Sequence, residues 1–221
     1  MNAIGTTSTS ISITVPAGGV AFGHTVLVSL AMDPAAGTVS CVDTKGNSYS
    51  AVVDFANGSG TTGVRTVIFA ARIVTALSAG NTITVSYPSV DASAVSINEF
   101  SGLGFVDRTA SAGGNNGTPS SGSTAVTSQA NELLLGSIGV ETKKNDPFAA
   151  GAGYTGLPNT GTGKSGSPSS NVSIDPEYRI VAATGSYVAD GTTVFARWAA
   201  TIATFRAATC GNGVVEATEA C

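Results

Sequence analysis

Side chains able to do chemistry at neutral pH are few in this chain of 221 residues: one histidine, His24, and a thin set of carboxylates. A hydrolase triad needs a nucleophile, a base and an orienting acid within hydrogen-bond reach. His24 stands alone at a Gly23 turn ahead of an apolar run, with no Ser-x-Gly elbow to supply the nucleophile. Glycoside hydrolysis asks only for two carboxyl groups at a suitable separation, and Glu99, Glu132, Glu141 and Glu177 are available. No spacing pairs any two of them across a cleft, and Glu99, between Asn98 and Phe100, reads as a strand-end residue. Calcium takes hard oxygen ligands, and Asp43 with Asn47 is the best local cluster, Asn145-Asp146 a second. The same Asp43 suits an Asx-turn capping its own hairpin. Sugar binding calls for aromatic faces; Tyr154 and Tyr178, flanking a long loop, are the candidate ligand-binding residues. Trp198 shares a strand face with Val194 and Ile202 and reads as core.

The elements that must position these residues are strands. Turn signals recur every 8–12 residues, the rhythm of an all-β sandwich. Ile11-Ser12-Ile13-Thr14-Val15 alternates and stops at Pro16, and Thr25 to Ala31 puts Val26, Val28 and Leu30 on one face. Val39 to Val42 enters, and Tyr49 to Phe55 leaves, a hairpin signalled by Asp43-Thr44-Lys45-Gly46-Asn47. Strands follow over Val64–Val74, Thr82–Tyr87 and Ala92–Phe100. β-Branched residues and glycines are too frequent for a helix anywhere. Residues 111–125 and 156–171 read as long Gly/Ser/Asn/Thr/Pro-rich loops, where binding often resides.

A weak internal repeat organises the whole. Thr25-Val-Leu-Val aligns with Glu132-Leu-Leu-Leu at an offset of 107, and Arg72-Ile73-Val74 recurs as Arg179-Ile180-Val181 at the same offset. Each half ends in an alternating strand, Ala94 to Phe100 and Ala199 to Phe205. The expectation is a jelly-roll-like antiparallel β-sandwich over residues 1–208, with halves of about 1–103 and 104–208 and sheets drawing strands from both. Two tandem immunoglobulin-like modules are the alternative.

Composition excludes several classes of function. Only 11% of residues are charged, against about 25% in ordinary domains, which argues against a coiled coil or a charged disordered tail. A net charge of −4 removes the electrostatic reason to expect nucleic acid as partner. No apolar run approaches the roughly 20 residues of a membrane span. The opening Met1-Asn-Ala-Ile-Gly lacks the basic start and apolar block of a signal peptide, so a mature fragment behind an added Met1 is expected.

Cys41 lies in a strand-like run and reads as a small buried hydrophobe. The tail Cys-Gly-Asn-Gly-Val-Val-Glu-Ala-Thr-Glu-Ala-Cys, residues 210–221, resembles the start of the Cys-rich repeats on secreted myxobacterial and related bacterial proteins, patterned CGNGxxExGExC. It departs from that pattern at Thr218, where the repeat has Gly. The resemblance implies export, disulfide formation by Cys210 and Cys221, and a chain cut where a repeat array begins; such chemistry suits an oxidising compartment. Residues 10–207 resemble a β-sandwich module of exported bacterial proteins, through Asp43 to Tyr49, Glu99-Phe100-Ser101-Gly102 and Val106-Asp107. That resemblance implies a sandwich in an extracellular setting and carries over no catalytic residue.

The reading is a non-catalytic secreted or cell-surface module for adhesion or glycan binding, without a cofactor beyond a structural calcium. Its partners are a polysaccharide or cell-surface glycan, or copies of itself. A structural subunit that assembles by strand addition through residues 6–15 comes second, and a polysaccharide-active enzyme third.

Overall fold

The computed structural model describes residues 1–143, 146–165 and 170–208. Cys210 and Cys221, with the disulfide expected of them, and Asn145 lie outside the described residues. The described chain is all-β, built of antiparallel sheets packed as a sandwich. Its strands are β1 (Asn2–Ile4), β2 (Ser8–Thr14), β3 (Thr25–Met32), β4 (Ser40–Asp43), β5 (Ser50–Ser59), β6 (Thr62–Arg72), β7 (Thr82–Val90) and β8 (Ser93–Phe100) in the first half. The second half holds β9 (Leu103–Asn116), β10 (Glu132–Val140), β11 (Ala149–Ala150), β12 (Thr155–Gly156), β13 (Thr160–Gly161), β14 (Ser173–Val181), β15 (Gly191–Thr192) and β16 (Ala196–Ala207).

In the first half β1 pairs with β8, β2 with β7 and β3 with β6. This nesting of first with last is the pairing of a jelly roll. It yields a small sheet, β2-β7-β4, and a middle sheet, β1-β8-β3-β6-β5. Three of a jelly roll's four nested pairs thus lie within one half; the fourth is not made, since β4 pairs with β7 and β5 with β6. Contrary to expectation, no sheet among the described residues draws strands from both halves. The second half contributes a large sheet, β12-β14-β10-β16-β9, with β13 also on β14.

Alternation along each strand decides which layer it faces. Val26, Val28, Leu30 and Met32 of β3 pack with Phe69, Ile83 and Val85 between the middle and small sheets. Leu27 and Ile68 point the other way, onto Leu133, Leu135 and Phe205 of the large sheet. Both faces of β3 are thus covered, which is why all eight of its residues are buried and why it reads as a continuous apolar run. β10 is buried throughout for the same reason.

Beside that large apolar cluster, part of the contact between middle and large sheets is made of small groups. Ala31, Val64, Ala94 and Ala199 meet there, and the Ser29 and Ser137 hydroxyls hydrogen-bond to each other at 2.6 Å. Thr66 Oγ1 donates to the Ala199 carbonyl at 2.9 Å. A Cβ on Gly139 would lie 2.1 Å from Thr66 Oγ1, so glycine there permits the close approach.

The repeat has a structural counterpart. Middle-sheet order β1-β8-β3-β6 matches large-sheet order β9-β16-β10-β14, and Thr25 and Glu132 open equivalent central strands. Arg72 and Arg179 are not equivalent: Arg72 pairs with Thr25, whereas Arg179 pairs with Leu134 and Glu132 with Val181. The two-residue shift keeps the same face because strands repeat every two residues.

The far face of the large sheet is covered by coil instead of a second sheet. Residues 117–127 and 185–193 run side by side, and hydroxyls replace backbone carbonyls in their rungs. Ser121 N–H donates to the Ala189 carbonyl (2.8 Å), while Ala189 N–H donates back to Ser121 Oγ (3.0 Å). Thr124 repeats this with Tyr187, and Thr127 with Gly185. Beneath this layer lie Ile138, Val140, Trp198, Leu134 and Ile202. Trp198 is core, as its strand face implied, with Nε1–H donating to Asn116 Oδ1 at 3.0 Å.

Candidate functional site

Where the coil layer meets the large sheet, the segments around Thr118–Ser120, Ala149–Ala152 and Asp190–Thr192 enclose an open groove of about 520 Å³. The short pair β11–β15 forms one wall. The lining is small and uncharged apart from Asp190. Small residues bring backbone N–H and C=O groups to the surface, which suits hydrogen bonding to a hydroxyl-rich ligand more than covalent chemistry.

Glu177 lies under this groove. It projects from the outer face of β14 opposite Gly136, and it fits because a Cβ there would come within 2.8 Å of Glu177 Cγ. The side chain is fully buried. Its Oε2 accepts the Gly151 N–H at 3.0 Å, and Oε1 has no hydrogen bond of ordinary geometry among the described residues. Burial pushes its carboxyl up to about 7; the Gly151 N–H opposes the rise and the Asp190 charge adds to it.

The other carboxylates singled out from the sequence stand apart. Glu99 Oε1 is 2.7 Å from His24 Nδ1 and also accepts the Ala21 N–H. Seventy-five residues separate this pair in the chain, so no local spacing signals it. Among the described residues the His24 ring has no other side-chain partner. Glu141 Oε1 accepts the Gly63 N–H at 2.8 Å. Glu132 is buried beside Asp107; burial raises its carboxyl, and the Asp107 charge adds to the rise. Burial also raises Asp107, but the Ser128 N–H and hydroxyl and the Arg206 guanidinium outweigh it and hold that carboxyl far below the usual range.

Asp43 and Asn47 do come together. Asp43 Oδ1 accepts the Lys45 and Asn47 N–H groups, and Oδ2 accepts from Asn47 Nδ2 and the Tyr49 hydroxyl. Asn47 Oδ1 accepts the Val74 and Thr75 N–H groups. A cation at this pair has to displace bonds that already engage both Asp43 oxygens and the Asn47 amide oxygen. Burial raises the Asp43 carboxyl, yet the bonds from Asn47, Lys45 and Tyr49 prevail and lower it.

Tyr154 and Tyr178 are both half-buried, on opposite faces of the large sheet. Tyr178 meets Phe100 edge-to-face with centroids 5.6 Å apart. Tyr154 packs under the coil layer and donates its hydroxyl to the Val188 carbonyl at 2.8 Å; burial raises it well above the usual phenol. They form no common platform.

Of the loop at 156–171, the described part runs along β14 through β12 and β13. Asp190, the charged residue at the groove, was not singled out from the sequence. Its Asp-Gly dipeptide, an ordinary turn signal, is the only local mark it carries. Comparison with protein-family models, curated proteins and solved structures found no match for this chain.

Proposed function

We propose that this chain is a non-catalytic secreted or cell-surface module that binds glycans through the groove at Asp190. The observation that carries the reading is the groove itself: open, small-residue lined, with a single carboxylate at its wall. Asp190 is suited to accept hydrogen bonds from a pair of sugar hydroxyls. Binding is favoured over turnover because the second carboxylate, Glu177, is sealed beneath the Gly151 backbone. The extracellular setting rests on the resemblances of residues 10–207 and of the Cys-rich tail. Immobilised neutral polysaccharides should retain the protein, and Asp190→Ala should weaken retention about tenfold, as loss of charge-assisted bonds implies. Retention that Asp190→Ala leaves unchanged would remove the groove from consideration, and a lack of retention on any polysaccharide would sink the glycan reading.

Assembly by strand addition is the second reading, and β9 is what favours it. Residues 8–14 do form an outer strand of the small sheet, pairing with β7. The fourteen-residue β9 is a longer edge, and Thr109 to Asn116 carries no charge or proline. Native edges are commonly blunted by one or the other. If copies associate there, light scattering will show growth with concentration that Ser111→Lys suppresses; a monomer at every concentration refutes it.

A further inference from the structure

A second opening lies where the middle and large sheets splay apart. It is about 450 Å³ and is floored by Val52, Ala70, Leu103, Phe105, Val106 and Phe205. Its cause is visible in the ladders. The β5–β6 register shifts between Ala51 and Val53, and β16–β9 shifts between Ala203 and Ala207. Bulges bend strands and re-aim side chains, and these two irregularities flank the same end of the interface.

The opening is apolar and in part exposed. Val74, Phe105 and Val106 are 62%, 55% and 39% accessible, so large apolar groups converge here instead of being scattered. Contiguous exposure of that kind marks binding surfaces, and the volume is in the range of small-molecule sites. Arg72 is the one charged residue lining the cleft. Arg65, Arg108 and Arg206 each hold an aspartate. The Arg72 guanidinium makes no ion pair or hydrogen bond among the described residues. A guanidinium recognises a carboxylate through two parallel N–H···O bonds. The Ser48, Ser50 and Thr25 hydroxyls at the same lining are further donors.

We propose that this cleft binds a free fatty acid, with the acyl chain over Leu103, Phe105 and Phe205 and the carboxylate on Arg72. The site is distinct from the Asp190 groove and does not rest on the glycan reading. The charge and the apolar floor together select this class: a sugar leaves the floor wet, and a neutral hydrocarbon leaves Arg72 unused.

The test titrates the purified chain with dodecanoate, below micelle formation, by calorimetry and by amide NMR shifts. Saturable one-to-one binding is expected, with shifts concentrated at Ala70, Leu103 and Phe105. Arg72→Gln and Phe105→Ser should each weaken it about tenfold or more, with Arg72→Lys in between. Dodecanol should bind wild type no better than dodecanoate binds Arg72→Gln. The shift map on unaltered protein decides the location should a variant fail to fold. The proposal falls if dodecanoate does not saturate, if shifts lie elsewhere, or if folded Arg72→Gln or dodecanol binds as well as wild type with dodecanoate. It also falls if phospholipid vesicles free of fatty acid bind equally, or if the cleft is occupied by a second copy, seen as a dimer that Phe105→Ser dissolves.

Discussion

Glu177 ties the groove wall to the large sheet through its bond from the Gly151 N–H, with the Asp190 backbone also acting on it, and its protonation sets how firmly. An unfolded glutamate loses its proton near 4.5, whereas the buried one keeps it to about 7. Folding therefore takes up a proton between those values. The contribution is fully present below pH 4.5 and falls by about 3 kcal/mol as pH rises through 7. Glu177→Gln should remove that loss, seen as a smaller difference in melting temperature between pH 5 and pH 8. Asp33, Asp175 and Glu132 are raised too, chiefly by burial, so the comparison with the variant carries the test. Equal pH dependence in both proteins would refute the assignment. Asn47 is a second residue with a defined cost. Asn47→Ala leaves the Val74 and Thr75 N–H groups without acceptors, and denaturant unfolding should show a loss of about 3 kcal/mol. The Asp43–Asn47 turn was legible because its partners are local, four residues apart; the hairpin expected around it does not form, because β4 pairs with β7 and β5 with β6, in different sheets. The His24–Glu99 pair and the burial of Glu177 were not legible, because both depend on residues 75 and 26 positions away.

At the scale of elements, the coil layer over the large sheet stands out. Three hydroxyls close rungs that carbonyls close elsewhere, so Thr124→Val leaves the Tyr187 N–H unpaired while keeping side-chain volume. Destabilisation of about 1–3 kcal/mol is expected, with Thr124→Ser recovering most of it; a fully stable Thr124→Val would show that water replaces the hydroxyl. The strands were readable from alternation and turn residues. These rungs were not, since a hydroxyl acceptor leaves no period-two pattern. Residues 111–125 were accordingly expected to be a loop, and their first six residues instead complete β9. Small side chains and missing apolar alternation hid that strand: it is an edge, with every residue but Leu103 half-buried or exposed.

At the scale of the molecule, the two halves share one contact surface. Leu27 and Ile68 from the first pack on Leu133, Leu135 and Phe205 from the second. A chain ending near residue 103 exposes that face, and it is expected to aggregate or bind a hydrophobic dye where the full chain does not. A soluble, dye-silent fragment would instead show that the first half stands by itself. Gly139→Ala, placing a Cβ against Thr66, should cost about 1–3 kcal/mol by overpacking the same surface, read as a lower denaturant midpoint.

By itself the sequence determined the all-β class, the central strands at Thr25 and Glu132, the Asp43 turn and the core position of Trp198. Each follows from patterns within a few residues, or from one offset repeated along the chain. Only tertiary structure decided that three jelly-roll pairs nest within the first half, with β4 and β5 parted into different sheets, and that Tyr154 and Tyr178 face opposite ways. It likewise put Asp190 beside a groove and Arg72 in an apolar cleft. The reason is geometric: strand alternation says which residues share a face, but not which sheet, loop or solvent meets it.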